Sequence, residues 1–231
     1  MLNADPKTII MAVLVGLIPS LFWLWFWLKE DKEDPEPVGL ISLCFLIGML
    51  LVFLVIPIEK FIQNITSVNE LQIIGWASAE EIFKFLVVLL ILSKTVRINK
   101  PVDWPIFIIT VALGFAAFEN ILFLIKPLSL GQATVGLMTG QLRFLGSTLL
   151  HTVSSGIIGI SIGLSFYMGE IKKKLYLFVG IISAIALHSG FNFFIMNNNG
   201  SDFLKVFAFL WVATIINLLL FEKLRRMSGE N

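Results

Sequence analysis

Apolar residues in this chain come in long unbroken stretches, not in the alternating or amphipathic stripes of soluble elements. Stretches of about 18 or more are long enough to cross the roughly 30 Å hydrocarbon core of a bilayer as helices. They fall at approximately 8–28, 38–58, 72–93, 105–125, 143–168, 175–196 and 203–221. The polar punctuation between them reads KEDKEDPEP, IEKFIQNITSVNE, SKTVRINKPVDW, IKPLSLGQATVG, GEIKKK and NNNGSD. None of these pieces is large enough for a second domain, and no internal repeat stands out. A closed barrel would need short alternating strands, so helices are what can satisfy the backbone in lipid. The pattern predicts an all-α polytopic transmembrane bundle of about seven spans, forming one integral membrane domain over residues 1–231. The first run has no small-residue cleavage site after it and reads as a retained anchor, not a signal peptide.

Composition agrees. Of the 231 residues 57% are hydrophobic and 14% charged, against about 25% charged in soluble domains, and the mean hydropathy is +0.91. With a formal net charge of +1 and no long basic or acidic tract, nothing points to nucleic acid. Orientation follows from lysine and arginine near the span ends. With the N-terminus outside, the inner loops collect Lys29, Lys32, Lys94, Arg97, Lys100, Lys172, Lys173, Lys174, Lys223, Arg225 and Arg226, and the outer ones Lys7, Lys60, Lys126, Arg143 and Lys205. The bias of about two to one predicts N-outside, C-cytoplasmic. Trp23, Trp25, Trp27 and Trp104 read as an aromatic belt at the inner interface. Cys44, the lone cysteine, has no intrachain partner and reads as a small membrane-facing hydrophobe.

Location makes the charges informative. An ionisable group inside a span costs about 2.5–3.5 kcal/mol on insertion scales and by default marks a functional interior. Glu80, Glu81, Lys84, Glu119, His151 and His188 are such groups. Counting about 1.5 Å per residue along helices of alternating direction brings them to one level, roughly 10–14 Å below the outer surface. Glu80 and Glu81 stand i,i+4 and i,i+3 to Lys84, and His188 stands i,i+4 to Asn192, so each set shares a helix face. Gly114 and Gly190 remove side-chain bulk where helices approach. Adjacent glutamates in a low-dielectric site suit a general base. The competing structural readings are a neutralised Glu80–Lys84 ion pair, a Glu119–Asn120 cap of an interhelical network, and a snorkelling Arg143. Ser78, Ser147, Ser154 and Ser155 read as helix-packing residues. No GxSxG elbow, Ser-Lys pair or HExxH appears.

EEIFK at 80–84, GFAAFEN at 114–120, Arg143 with His151, and HSGFN at 188–192 resemble, in order and spacing, the PrsW family of bacterial intramembrane proteases. DPEP at 34–37 resembles that family's juxtamembrane motif. Phe191 departs from it where tryptophan is expected. The family is in turn similar to the CAAX protease and bacteriocin-processing family. The resemblance implies a multi-pass protein of the bacterial cell membrane that cuts single-span membrane proteins, such as anti-sigma factors, near the outer face to start signalling. It implies that Glu81 or Glu80 activates water with help from His151, and that His188 and Asn192 stabilise the oxyanion. Lys84, Glu119, Asn120 and Arg143 would support them. Lipid and a single-span substrate are the implied partners.

Both a glutamate mechanism and a metal-dependent one fit these residues. The glutamate mechanism needs no cofactor. A zinc ion would be held by His151, His188 and Glu81 or Glu119, with a position left for water. Two other function classes use the same cluster: a proton-coupled transporter or channel with a Glu/Lys/His relay, and a non-catalytic scaffold that binds other spans.

Overall fold

The computed structural model describes residues 5–30, 35–95, 98–132, 134–135, 138, 140, 143–197 and 203–229. Lys32 and Arg97, used for orientation, and Asp34 of the DPEP motif lie outside the described residues. Among the described residues seven long α-helices follow one another: α1 Pro6–Glu30, α2 Val38–Ile65, α3 Asn69–Thr95, α4 Asp103–Ser129, α5 Thr148–Leu164, α6 Glu170–Asn197 and α7 Phe203–Met227. A π-helical turn, Arg143–Ser147, leads directly into α5. The all-α polytopic expectation holds. Among the described residues six helical segments are long and apolar enough to cross a membrane. The exception is α3, which has the length, 27 residues, but carries Glu80, Glu81 and Lys84 at its centre.

Most helices overrun the predicted spans because amphipathic flanks continue the helix past the apolar run. The overrun of α2 is the consequential one. Its apolar run ends near residue 58, yet the helix continues to Ile65 and carries Glu59, Lys60 and Gln63, which read as a loop in the sequence.

The centre of the bundle is α4, whose residues from Pro105 to Ala117 are all buried. A helix apolar on every side is covered on every side, and α1, α2, α3 and α5 pack around it. Without a hydrophobic drive between helices in lipid, close backbone contact supplies the cohesion. The α2–α4 crossing shows how: a Cβ on Gly114 would run into the carbonyl oxygen of Phe45, and one on Gly48 into that of Val111. Gly190, expected to do the same, has nothing within 4 Å of such a Cβ, and the close-approach reading there is corrected. Gly114→Ala is therefore expected to cost about 1–3 kcal/mol, read as a lower unfolding temperature in detergent, whereas Gly190→Ala should stay within about 0.5 kcal/mol of the parent. Equal behaviour of the two variants would refute this account of the crossing.

Two further expectations change. Only Trp25, 57% exposed, fits an aromatic belt; Trp27 packs edge-on to Phe221 and Trp23 against Phe144 inside the bundle. Trp104 is half-buried. Cys44 does not face lipid either, being fully buried within the main core cluster.

Candidate active site

Glu80, Glu81 and Lys84 occupy successive turns of α3, and Glu119 and Asn120 lie in the second half of α4. Arg143 opens the π turn, His151 sits one turn into α5, and His188 and Asn192 are a turn apart on α6. The structure brings Glu80, Glu81, Lys84, Glu119, His151 and His188 into one hydrogen-bonded centre.

Lys84 is fully buried, and its Nζ lies 3.2 Å from Glu80 Oε2, 3.0 Å from Glu81 Oε1 and 2.9 Å from His151 Nδ1. It also stands 4.4 Å above the ring of Phe115. An ammonium group can only donate, so His151 Nδ1 accepts and the imidazole proton resides on Nε2. That proton is donated to Glu119 Oε2, 2.9 Å away. His188 is held in the mirror sense: its Nδ1–H donates to Glu81 Oε1 over 2.8 Å, which leaves Nε2 as the bare nitrogen in the neutral ring. Each imidazole thus has one nitrogen fixed by a carboxylate, the device that orients histidines in metal and catalytic sites.

The two remaining nitrogens face the same atom. Glu80 Oε2 is 3.6 Å from His151 Nδ1 and 3.9 Å from His188 Nε2. Rings of the two histidines meet edge to face at 5.1 Å.

The adjacent glutamates occupy unlike positions because consecutive helical residues point about 100° apart. Glu81 is buried to 0% exposure and spent on donors: Lys84 and His188, then Ser155 Oγ at 2.6 Å and Ser154 Oγ at 3.2 Å. Glu80 lines a cavity of about 690 Å³ together with Glu119, His151, His188 and Asn192. Much of the remaining wall is apolar, from Val52 and Val55 on α2 to Phe115 on α4 and Phe191 on α6. Residues such as Gln63 and Met196 put its mouth at the end of the bundle where α2 and α6 finish and α3 begins.

Arg143 does not snorkel. Its Nη2 donates to Glu119 at 2.7 Å and Ser147 at 2.9 Å, its Nε donates to Asn120, and its guanidinium lies over Phe123 at 4.1 Å. Asn120 passes the network on to Thr148 Oγ1 at 2.9 Å. The packing reading of Ser147, Ser154 and Ser155 is likewise corrected, since all three bond to side chains of the network. Spacing could have found Ser154 and Ser155: they stand i+3 and i+4 to His151, on its own helix face. Ser78, by contrast, bonds the carbonyl of Ile74 on its own helix.

Four residues, Glu80, Glu81, His151 and His188, place one ligand atom each within 4.8 Å of one another. Glu119, an alternative metal ligand in the sequence reading, is outside this set because it meets His151 from behind, at Nε2. Around a tetrahedral zinc with bonds of about 2.0–2.1 Å the ligand atoms sit about 3.4 Å apart. The separations from Glu80 to the two histidines approach that value, and two imidazoles with a carboxylate are a donor set zinc accepts. The residues present therefore fit a divalent metal, provided Lys84 Nζ turns away from His151 Nδ1.

Fold and centre together define a class: multi-pass helical membrane proteins with a buried carboxylate–imidazole centre reached by a cavity. The family model described as PrsW family intramembrane metalloprotease matches residues 36–220. The chain belongs to the PrsW family of intramembrane proteases, multi-pass membrane hydrolases of bacteria. It is 29% identical to Protease PrsW of Shouchella clausii over 226 residues, covering 94% of this chain and 96% of that one. It is 29% identical over 182 residues to Protease PrsW of Halalkalibacterium halodurans, covering 75% and 78%. With Protease PrsW of Bacillus subtilis it shares 22% identity over 204 residues, covering 86% and 90%. No solved structure matches the chain.

Proposed function

We propose that the chain hydrolyses peptide bonds of single-span membrane proteins, anti-sigma-factor-like in class, close to the extracytoplasmic face. Its N-terminus is outside and its C-terminus cytoplasmic, so the cavity mouth faces outward. One observation carries the reading: Glu80 Oε2, His151 Nδ1 and His188 Nε2 converge in the wall of a cavity that reaches the bundle end.

A water donating to Glu80 Oε2 and to the bare Nε2 of His188, beside the His151 ring that Lys84 and Glu119 hold, gives its proton to Glu80 as its oxygen attacks the scissile carbonyl carbon. When the C–N bond breaks, Glu80 returns that proton to the departing amine. Asn192 has the N–H to donate to the developing oxyanion from the cavity wall, a contact worth about 3–4 kcal/mol in water-poor sites. His188, whose Nδ1 proton is engaged by Glu81, joins it as a donor only in the imidazolium form. Glu119, Arg143 and Lys84 hold His151, while Glu81 with Ser154 and Ser155 holds His188. A zinc ion held by Glu80, His151 and His188 would supply Lewis acidity and a more acidic water.

Among the described residues no continuous polar path supports the transporter reading. Toward the other bundle end, Asp103 accepts from the backbone N–H of Asn99 and Lys100 at the start of α4, and Thr110 and Thr214 bond carbonyls of their own helices.

Co-expression with a single-span reporter tests the function. The parent is expected to cut it and His188→Ala to leave it intact at equal protein level; cleavage by both, or ion flux in liposomes without cleavage, would defeat the reading. Metal content of the purified protein, with activity followed through chelation and zinc return, distinguishes the zinc-dependent form from the metal-free one.

A further inference from the structure

A substrate span must be extended before its peptide bond can be cut, and each carbonyl so freed loses its intrahelical N–H. In a cavity walled by Val52, Val55, Phe115 and Phe191 such an orphan acceptor is costly unless the protein supplies a donor. Donors near Glu80 are largely engaged. Lys84 is held by Glu80 and Glu81, the His151 Nε2 proton by Glu119, and the His188 Nδ1 proton by Glu81. Trp76 Nε1–H donates to the carbonyl of Glu59, and Asn192 serves the oxyanion.

Arg143 keeps an edge in reserve. Its guanidinium carries five N–H groups in one rigid plane. Three are committed, Nε to Asn120 and Nη2 to Glu119 and Ser147, and the face of the plane lies over Phe123 at 4.1 Å. Among the described residues nothing accepts from the two N–H groups of Nη1. That edge is not sealed in protein, since the side chain is 14% exposed and lines the cavity.

Its distance from the reacting atoms is bounded by the network itself. Glu80 Oε2 is 3.6 Å from His151 Nδ1, and across that ring His151 Nε2 is 2.9 Å from Glu119 Oε2, which is 2.7 Å from Arg143 Nη2. An extended chain covers such a span in two or three residues of about 3.3 Å each. The charge of Arg143 is already answered by Glu119. What the Nη1 edge lacks is therefore an acceptor, not an anion.

We infer that Arg143 binds the substrate main chain, with Nη1 donating to a peptide carbonyl two or three residues from the scissile bond. The inference rests on the protease reading and names how the same cavity holds its substrate. A main-chain acceptor is present in every sequence, so the contact sets the register of the extended segment against Glu80 without choosing its side chains. Three hydrogen bonds and the Phe123 ring fix the fork before substrate arrives, which keeps the ordering cost of the contact low.

The experiment uses the purified full-length protein in detergent and a synthetic single-span peptide. Its amide bonds are replaced by esters one at a time on both sides of the mapped cleavage point, because an ester carbonyl is the weaker acceptor. For the parent, KM is expected to rise at one position, two or three residues from the cut. Arg143→Lys keeps a cation for Glu119, and through it His151, but has no second nitrogen. It should raise KM about tenfold, the scale of a charge-assisted hydrogen bond, by a larger factor than it lowers kcat, and should erase the ester effect at that position alone. A residue that only held His151 would lower kcat and leave the ester profile as it was. Should the lysine variant fail to accumulate, disulfide trapping in the Glu80→Gln background pairs Phe123→Cys with cysteines stepped along the peptide. The yield should then peak at the residue that the parental ester scan marks. The same ester profile in parent and Arg143→Lys, a fall in kcat alone, or a trapping peak elsewhere overturns the inference and leaves the protease reading standing. So does a dependence on one substrate side chain, seen by alanine scanning, that Arg143→Lys abolishes where the ester has no effect. A peptide uncut by the parent, or cut equally by His188→Ala, removes the protease reading and this inference with it.

Discussion

Replacing Glu80 by glutamine is expected to cut proteolysis of a single-span reporter by about 10²–10⁴-fold, the usual contribution of a positioned general acid–base group. Glutamine keeps the shape of the side chain and can still accept from Lys84 Nζ, now at 3.2 Å, so the helices should stay assembled. What it cannot do is take a proton from water or serve as an anionic metal donor, so the loss is expected with or without zinc. Glu81→Gln makes the informative partner. Glu81 has no cavity surface and accepts from Lys84, His188, Ser154 and Ser155. Its amide variant turns an acceptor into a donor among groups that need acceptors. It should lose stability as well as activity. The two variants therefore separate along two axes, cleavage rate and unfolding temperature in detergent. A Glu80→Gln protein that cuts within tenfold of the parent, beside an inactive but fully stable Glu81→Gln protein, would transfer the chemical role to Glu81 and invert the assignment.

That distinction marks where the sequence stops being legible. Run lengths give the helices because length and apolarity alone decide whether a segment can cross. Counting inward along each run gives the level of Glu80, Glu119, His151 and His188, because rise per residue is nearly constant. Rotation about each helix axis is set by packing against neighbours, and no count along one chain segment reveals it. So the sequence could name the pair of glutamates and not the one facing the cavity. It could place Arg143 near an interface and not see that Glu119, on another helix, draws it inward. Glu59 was hidden for a different reason: a charged residue just past an apolar run reads as loop, whereas the α2 helix carries on to Ile65 with α3 side chains holding it. Cys44, Trp23 and Trp27 were misplaced for the rotational reason too, since an apolar residue in a span carries no sign of whether lipid or protein covers it.

Lys84→Met is expected to be the most damaging change to stability. The ammonium is fully buried and touches two carboxylates and an imidazole, while methionine fills nearly the same volume without charge. Removing one partner of a buried ion pair leaves the other charge uncompensated and costs about 3–5 kcal/mol; here two glutamates lose their common cation. Replacing both partners is far milder in general. Lys84→Met combined with Glu81→Gln should therefore recover a large part of the lost unfolding temperature and protein yield, without recovering cleavage, because Glu81 no longer holds His188 as a carboxylate does. The non-additivity is the diagnostic. If the double variant were destabilised by the sum of the two single effects, Lys84 and Glu81 would be acting independently, and the histidines would be held by something other than this shared charge network.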